Sequence, residues 1–189
     1  MAIVIYQFFN SNEINSNDVD LVIGSDKKDQ IVDLINKNVK DNLVDENIST
    51  KFENLYIESY PNKSRAFLKI QDGCNQFCSY CVIPYSRGRE RSANHNDVIC
   101  QAKQLSKSTK EIVLTGIHTG RYNDGEYNLF KLLSELVKID DLKTIRLSSI
   151  EITEISDEII ELIKTSDKLA HHLHIPVQSC CNSVLKNMH

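Results

Sequence analysis

No cysteine precedes Cys74 in this chain, and no apolar run approaches the roughly 20 residues that span a bilayer. The first absence excludes a disulfide framework. With all six Cys of the 189 residues at or beyond position 74, most of the N-terminal third would be unstapled. The second leaves no candidate membrane span. The opening run from Ala2 to Tyr6 lacks a basic segment before it and a small-residue cleavage pattern after it, so it does not read as a secretory signal. These features predict a cytoplasmic protein whose thiols stay reduced. A general excess of positive charge is also missing. The net charge of −4 argues against a generally basic nucleic-acid binder. That average hides an asymmetry. Asp18, Asp20, Asp26, Asp29, Asp33, Asp41, Asp45, Glu46, Glu53 and Glu58 make the N-terminal third acidic, whereas Lys63, Arg65, Lys69, Arg87, Arg89 and Arg91 outnumber Asp72 and Glu90 around the first cysteines. A positive zone there would suit an anionic substrate such as RNA.

What is present in concentration is thiol. Cys74, Cys78 and Cys81 fall within the eight residues CNQFCSYC, in a loop with too little apolar content to be core. The CxxxCxxC spacing can bring three soft ligands onto one metal centre, and thiolates suit zinc or an iron-sulfur cluster. A closed structural zinc site would want a fourth ligand, whereas a cluster on three cysteines leaves one iron open to a small molecule. Cys100, set among Val98, Ile99 and Ala102 on an expected helix, reads instead as a small buried hydrophobe.

With Tyr80 just before its last cysteine, this loop resembles the signature of the radical S-adenosylmethionine superfamily. The wider stretch IQDGCNQFCSYCVIPYSRGRERS resembles the tRNA methylthiotransferases within it. LTGIHTGRY, RLSSIE and HLHIPVQS are most similar to the subgroup acting on threonylcarbamoyladenosine. The resemblance runs from about Val19 to His189 and is strongest from Ala66 onward. It implies a 4Fe-4S cluster on Cys74, Cys78 and Cys81. Its open iron would bind S-adenosylmethionine and reduce it to release a deoxyadenosyl radical, with electrons from an external donor and tRNA as the substrate.

The fold class expected is α/β, a partial radical S-adenosylmethionine (β/α) barrel preceded by the end of a small α/β N-terminal domain. Residues 1–40 read as that domain's end. Strands are expected at Ala2 to Tyr6 and Asp20 to Gly24, and a helix from about Lys27 to Lys40, capped by Ser25 or Asp26, on the spacing of Ile31, Leu34, Ile35 and Val39. Residues 41–63, polar and without a sustained period, read as a linker. Residues 64–189 read as the core, truncated at its C-terminus. Strands are expected at 66–71, 111–115, 144–148 and 173–177. Helices are expected at 97–106, from Asn128, at 157–164 after a Ser156 cap, and from Ser183. Such alternation gives a parallel sheet whose carboxyl strand ends converge on one ligand site.

Those strand ends supply the remaining candidates. Gly116 gives backbone room after the second core strand, and the resemblance assigns that place to the methionyl amino group. His118 reads as a turn residue or hydrogen-bond donor rather than a ligand. Ser149 and Glu151 could bond the ribose or carboxylate of the cofactor, or merely cap a helix. Alternation in 174–178 would put His174, Pro176 and Gln178 on one face, from which Gln178 could reach adenine or substrate. Cys180 and Cys181, being adjacent, read as non-ligands, and Cys180 stands where the family generally has Gly. Arg87, Arg89 and Arg91 have a spacing suited to phosphate contact, or to a solvated loop and structural ion pairs.

Complete relatives carry a second 4Fe-4S cluster on N-terminal-domain cysteines, which this sequence lacks; the segment Val4–Gln7 occupies the approximate place of the last one. A C-terminal RNA-binding domain is also missing. The expectation is therefore a methylthiotransferase core that is inactive alone. Two alternatives stay open: another radical S-adenosylmethionine enzyme, acting on isopentenyladenosine in tRNA or on a protein side chain, and a non-catalytic iron-sulfur or zinc module.

Overall fold

The computed structural model describes residues 3–6, 19–24, 27–43 and 50–188. The proposed Ser25 or Asp26 cap lies outside the described residues. At the N-terminus, β1 (Ile3–Tyr6), β2 (Leu21–Gly24) and β3 (Asn42–Leu43) form a three-stranded parallel sheet in that order. All four residues of β2 are buried, as a central parallel strand requires. The expected helix at 27–40 is shorter. A 3-10 turn at Lys28–Gln30 leads into α1 (Ile31–Asn36), and the chain turns out of it with Asn38 at φ 51°. Asn tolerates that left-handed conformation better than most side chains, and its place after the helix end is a common stop signal. Asn42–Leu43, inside the stretch read as linker, pairs with Val22 and Ile23. Two residues give no period to read, so local sequence could not signal that strand.

From residue 65 the chain winds as strand and helix in alternation. β4 (Arg65–Lys69), α3 (His95–Ser106), β7 (Glu111–Thr115), α4 (Leu129–Leu136), β8 (Thr144–Leu147) and α5 (Asp157–Thr165) are the major elements, and the sheet order is β4-β7-β8, all parallel. The capping side chains are those expected for α4 and α5. Asn128 accepts from the Lys131 N–H at 2.9 Å and Ser156 from the Ile159 N–H at 3.4 Å, each satisfying a donor that the first helical turn leaves free. α3 starts two residues before the expected Asp97, because Asn94 takes its N-cap position.

Period-two alternation sorts the sheet into two faces. Ala66, Leu68, Ile112, Leu114, Ile145 and Leu147 form one buried face. They share a core with Val98, Ala102 and Leu105 of α3, with Leu129, Leu132, Leu133 and Leu136 of α4, and with Ile159 of α5. The other face is mixed. Glu111 at its centre bridges Arg146 at 2.9 Å and Arg65 at 3.4 Å across three neighbouring strands. Burying a full helical stripe against one sheet face supplies most of the stability such a layer has.

Two expected strands differ. The segment 66–71 divides: after Lys69 the chain leaves β4, and β5 (Gln71–Asp72) pairs antiparallel with β6 (Arg91–Ser92), closing a loop between them that contains the short helix α2 (Ile83–Ser86). The segment 173–177 forms no ladder. Its sheet contact is a single parallel bridge from His174 to Ser149, and a second bridge joins Leu169 to Ile145. Gln178 sits at φ 60°, so the expected common face of His174, Pro176 and Gln178 does not exist. The chain ends in α6 (Asn182–Met188).

Candidate cluster and cofactor site

The antiparallel β5-β6 pair presents the Cys74–Cys81 loop beside the carboxyl ends of β4, β7 and β8. Gly73 precedes the first cysteine at φ 72°, and a Cβ there would meet the Arg89 carbonyl and lie 2.7 Å from Gly88 O, so only glycine fits. Cys74 N–H donates to Gly88 O at 3.1 Å, fastening the start of the loop to its return.

Cys74, Cys78 and Cys81 form no disulfide and are half-buried. Burial pushes the Cys74 thiol up, the Gln76 N–H opposes it, and the neighbouring Glu90, Cys78 and Cys81 add to the rise. The Gln76 N–H donates to Cys74 Sγ at 3.4 Å, and the Cys78 thiol points at Gln76 Oε1 at 3.7 Å. Three thiols on one loop, the first reached by a backbone N–H, can supply the three sulfur ligands of an iron-sulfur cluster. Phe77, midway in the loop, is held at φ 50°. That conformation is costly for a bulky residue and needs outside support. Tyr85 supplies an edge contact at 5.4 Å and the Arg89 guanidinium lies 4.5 Å from the Phe77 ring centre. The far end of the chain also supports the loop: Ser79 N–H donates to Met188 O at 3.2 Å, so α6 docks against it.

Around the first cysteine lies a buried polar cluster. Gln71, fully buried, accepts the His118 N–H on its Oε1 at 2.7 Å and donates to Asp72 O and Gly73 O at 3.0 and 2.8 Å. Gly116 packs closely there: a Cβ would stand 3.0 Å from the Gln71 side chain, which would have to give by a few tenths of an ångström. His118 is 4% exposed. Its Nδ1 lies 3.8 Å from Cys74 Sγ and 3.7 Å from Glu90 Oε1. Its Nε2 lies 3.4 Å from Glu151 Oε1 and 2.8 Å from Glu154 Oε1, the last pair close but not aligned as a hydrogen bond. Burial raises the Glu154 carboxyl above the usual range, with the nearby Glu151 charge adding to it.

The other strand-end residues fall beside this cluster. Thr119 Oγ1 donates to Ser149 O at 2.6 Å and meets Ser148 Oγ at 3.1 Å. Ser149 Oγ meets His174 Nδ1 at 3.1 Å, and Gln76 Nε2 donates to Glu151 Oε2 at 3.2 Å, joining the cysteine loop to the end of β8. Tyr80 is 54% exposed. Gln178 is exposed.

The three arginines have distinct settings. Asp72, 3% exposed, receives Arg91 at 2.9 Å, Lys69 at 2.7 Å and Arg87 at 3.7 Å, plus the Gly73 N–H at 2.9 Å. Burial would raise its carboxyl, but Lys69, Arg91 and the Gly73 N–H outweigh it and hold the group below the usual value. Arg91 also donates to the carbonyls of Arg87 and Arg89 at 2.6 and 3.2 Å, so it braces the loop from inside. Arg89 is exposed on the Phe77 ring.

Cys100 differs from expectation: it lies on α3 but faces solvent, because Val98, Gln101, Ala102 and Leu105 take the buried stripe. Cys180 and Cys181 are both exposed, and Cys181 Sγ contacts Ser183 Oγ at 3.1 Å. The left-handed residue of this turn is Gln178, not Cys180, so a Cys in the usual Gly place strains no positive φ. The residues that sequence reasoning missed are Gln71, Asp72, Glu90 and Glu154. Their signal was a polar or charged residue close to Cys74 or following a strand end, which also describes ordinary turns.

Comparison with known proteins agrees with this geometry. Residues 68–189 match the model of the radical SAM superfamily. The chain is 44% identical over 179 residues to the threonylcarbamoyladenosine tRNA methylthiotransferase MtaB of Bacillus subtilis (strain 168), covering 90% of this chain and 40% of that protein. It is 40% identical over 178 residues to the protein of the same name from Aquifex aeolicus (strain VF5), covering 90% of this chain and 43% of that one. It is 37% identical over 180 residues to a tRNA-2-methylthio-N(6)-dimethylallyladenosine synthase of Rickettsia akari (strain Hartford), covering 90% and 40%. The chain thus spans about two fifths of the length of these relatives. With the superfamily match extending from β4 to the final residue, and its three cysteines on the loop at the strand ends, the chain belongs to the radical SAM superfamily.

Proposed function

We propose that this chain is the catalytic core of a tRNA methylthiotransferase acting on threonylcarbamoyladenosine. The observation that carries the reading is the disulfide-free, half-buried thiol triplet at the strand ends, in a chain 44% and 40% identical to two proteins of that name. Cys74, Cys78 and Cys81 would hold a 4Fe-4S cluster. That cluster and S-adenosylmethionine, when bound, supply reductive cleavage and a carbon radical, with electrons from an external donor. Everything else asked of the chain is positioning. Gly116, just after β7 and packed against Gln71, would offer its backbone to the methionyl end of the cofactor. Ser149 and Glu151 would offer a hydroxyl and a carboxyl group to its ribose or carboxylate end, and Tyr80 on the cysteine loop would cover it. Gln178 remains a candidate for adenine or substrate contact.

Of the arginines, Arg89 is the one set outward for a phosphate, and Arg87 and Arg91 shape the loop that carries it. Residues 64–189 form the core in this reading, 1–40 the end of a preceding α/β unit and 41–63 their connection. A second cluster on residues outside this chain would handle the sulfur to be inserted. A cytoplasmic setting follows from a tRNA substrate; among the described residues, no helix is long and apolar enough to cross a membrane.

The similarity to the Rickettsia protein favours a second reading, dimethylallyladenosine as the modified nucleoside. Mass spectrometry of nucleosides from tRNA of a strain lacking the whole gene decides between them. Loss of methylthiolated threonylcarbamoyladenosine supports the first reading, loss of methylthiolated dimethylallyladenosine the second, and loss of neither sinks both.

A further inference from the structure

The cluster of Cys74, Glu90 and His118 meets the requirements of a second, mutually exclusive metal site. Their three ligand atoms, a thiol sulfur, a carboxylate oxygen and an imidazole nitrogen, all lie within 4.8 Å of one another. With Zn–S of about 2.3 Å and Zn–N of about 2.0 Å at tetrahedral angles, a sulfur and a nitrogen ligand stand about 3.5 Å apart. The separations from His118 Nδ1 are 3.8 Å to Cys74 Sγ and 3.7 Å to Glu90 Oε1, so side-chain shifts of a few tenths of an ångström would complete these two tetrahedral edges, and the third pair lies within 4.8 Å.

The opposite side of the ring has the matching arrangement. Nε2 faces Glu154 at 2.8 Å and Glu151 at 3.4 Å, two carboxylates that favour a proton on that nitrogen and leave the Nδ1 lone pair toward Cys74 and Glu90. A carboxylate behind a ligating histidine orients such rings and raises their basicity. The His118 side chain is 6% exposed, and its Nε2 and Glu154 Oε1, both buried, stand in no aligned hydrogen bond; a small rotation of the ring toward the metal position is free to align them. Glu90 Oε1 is otherwise bonded by Arg121 Nε at 3.1 Å and the Asn75 N–H at 3.4 Å, so ligation through this oxygen keeps the shorter bond and displaces the longer one, an exposed contact that water can replace.

We propose that, before a cluster is loaded, this protein binds one divalent zinc-like cation through Cys74, Glu90 and His118, with water completing the shell, rather than through its three cysteines. Zinc and the cluster then compete for Cys74, and zinc bound there blocks cluster assembly. That consequence rests on Cys74 being a cluster ligand; the cation site itself does not.

Anaerobic titration of the iron-free chain with Co2+ as the spectroscopic probe tests it. The expected spectrum shows tetrahedral ligand-field bands and a sulfur-to-cobalt charge-transfer band of one thiolate. The Cys78→Ser/Cys81→Ser double variant keeps Co2+ affinity within about twofold. His118→Ala and Glu90→Gln each weaken it by about tenfold or more, since loss of even an outer partner of a metal ligand costs that much. Far-UV circular dichroism checks the fold of His118→Ala, and Glu90→Gln, at a less buried position, decides if that variant has unfolded. Loss of Co2+ binding in the double cysteine variant, unchanged affinity in Glu90→Gln, or no binding by the wild-type chain overturns the proposal. Pre-bound Zn2+ should also slow iron and sulfide uptake by the wild-type chain. If Co2+ binds as expected and Zn2+ leaves uptake untouched, the fault lies in Cys74 as cluster ligand and not in the cation site.

Discussion

Gln71 Oε1 accepts the backbone N–H of His118 at 2.7 Å, tying the end of the first core strand to the loop after the second. The same side chain holds Asp72 O and Gly73 O, so one amide fixes both the entry to the cysteine loop and the imidazole beside it. Gln71→Leu keeps the approximate volume and strands three buried backbone groups. Each costs about 1–3 kcal/mol if nothing replaces it, and relaxation among neighbours should bring the total to about 3 kcal/mol. Urea denaturation of the two proteins measures it. A change under about 0.5 kcal/mol would mean that water reaches these groups.

A Cβ on Gly120 would stand 2.6 Å from Glu154 Cβ and closer still to its carboxylate. Gly120→Ala therefore displaces Glu154 from His118 and should destabilise by about 1–3 kcal/mol, in the range of overpacked sites. Adding Glu154→Ala should recover much of the loss. A double-mutant cycle with no coupling would place the strain elsewhere.

Replacing Cys74, Cys78 or Cys81 singly by Ala should abolish the visible absorption of the anaerobically reconstituted protein, whereas Cys100→Ala, exposed on α3, should leave it unchanged. Retention of the absorption by Cys78→Ala would remove that residue from the ligand set.

Arg91 and Arg89 should separate by what they affect. Arg91→Ala deprives buried Asp72 of its 2.9 Å partner and should cost about 2 kcal/mol, less than the roughly 3–5 kcal/mol of a broken isolated pair because Lys69 and Arg87 remain. Arg89→Ala should change stability little but lower tRNA affinity of the full-length protein, and make the plot of log K against log salt shallower by about 0.7–0.9. An unchanged slope would assign Arg89 wholly to its contact with Phe77.

Asp124 gives the acid limb of stability. Burial acts to raise its carboxyl, but the N–H groups of Tyr127, His95 and Glu126 and the His95 ring outweigh it and bring the value from 3.8 to about 2. A folded-state value below the unfolded one contributes stability that is complete above about pH 4 and is lost as pH falls toward 2. Asp124→Asn should be less stable at pH 7 and show a flatter acid limb in thermal melts between those values. An unaltered acid limb would assign it to Asp72 and other carboxylates.

Sequence alone determined the features that repeat or crowd locally. The run Glu111 to Thr115 marked a strand; Leu129, Leu132, Leu133 and Leu136 marked a helical stripe; Asn128 and Ser156 marked caps; and three cysteines in eight residues marked a candidate metal loop. Each is a short-range pattern tied to backbone geometry, so no partner is needed to read it. Tertiary structure decided the rest. The 173–177 segment had strand composition but found only one bridge, and Cys100 sat among apolar neighbours yet faced outward, because the orientation of a helix is set by what the sheet offers it. The employment of Arg91 depended on Asp72, nineteen positions earlier in the chain, and that of His118 on Gln71, Cys74 and Glu90 from β5 and the loop it opens and on Glu154 from the turn after β8. A histidine in a glycine-rich turn has no character of its own in sequence; its partners give it one, and only the parallel winding of β4, β7 and β8 brings those partners together.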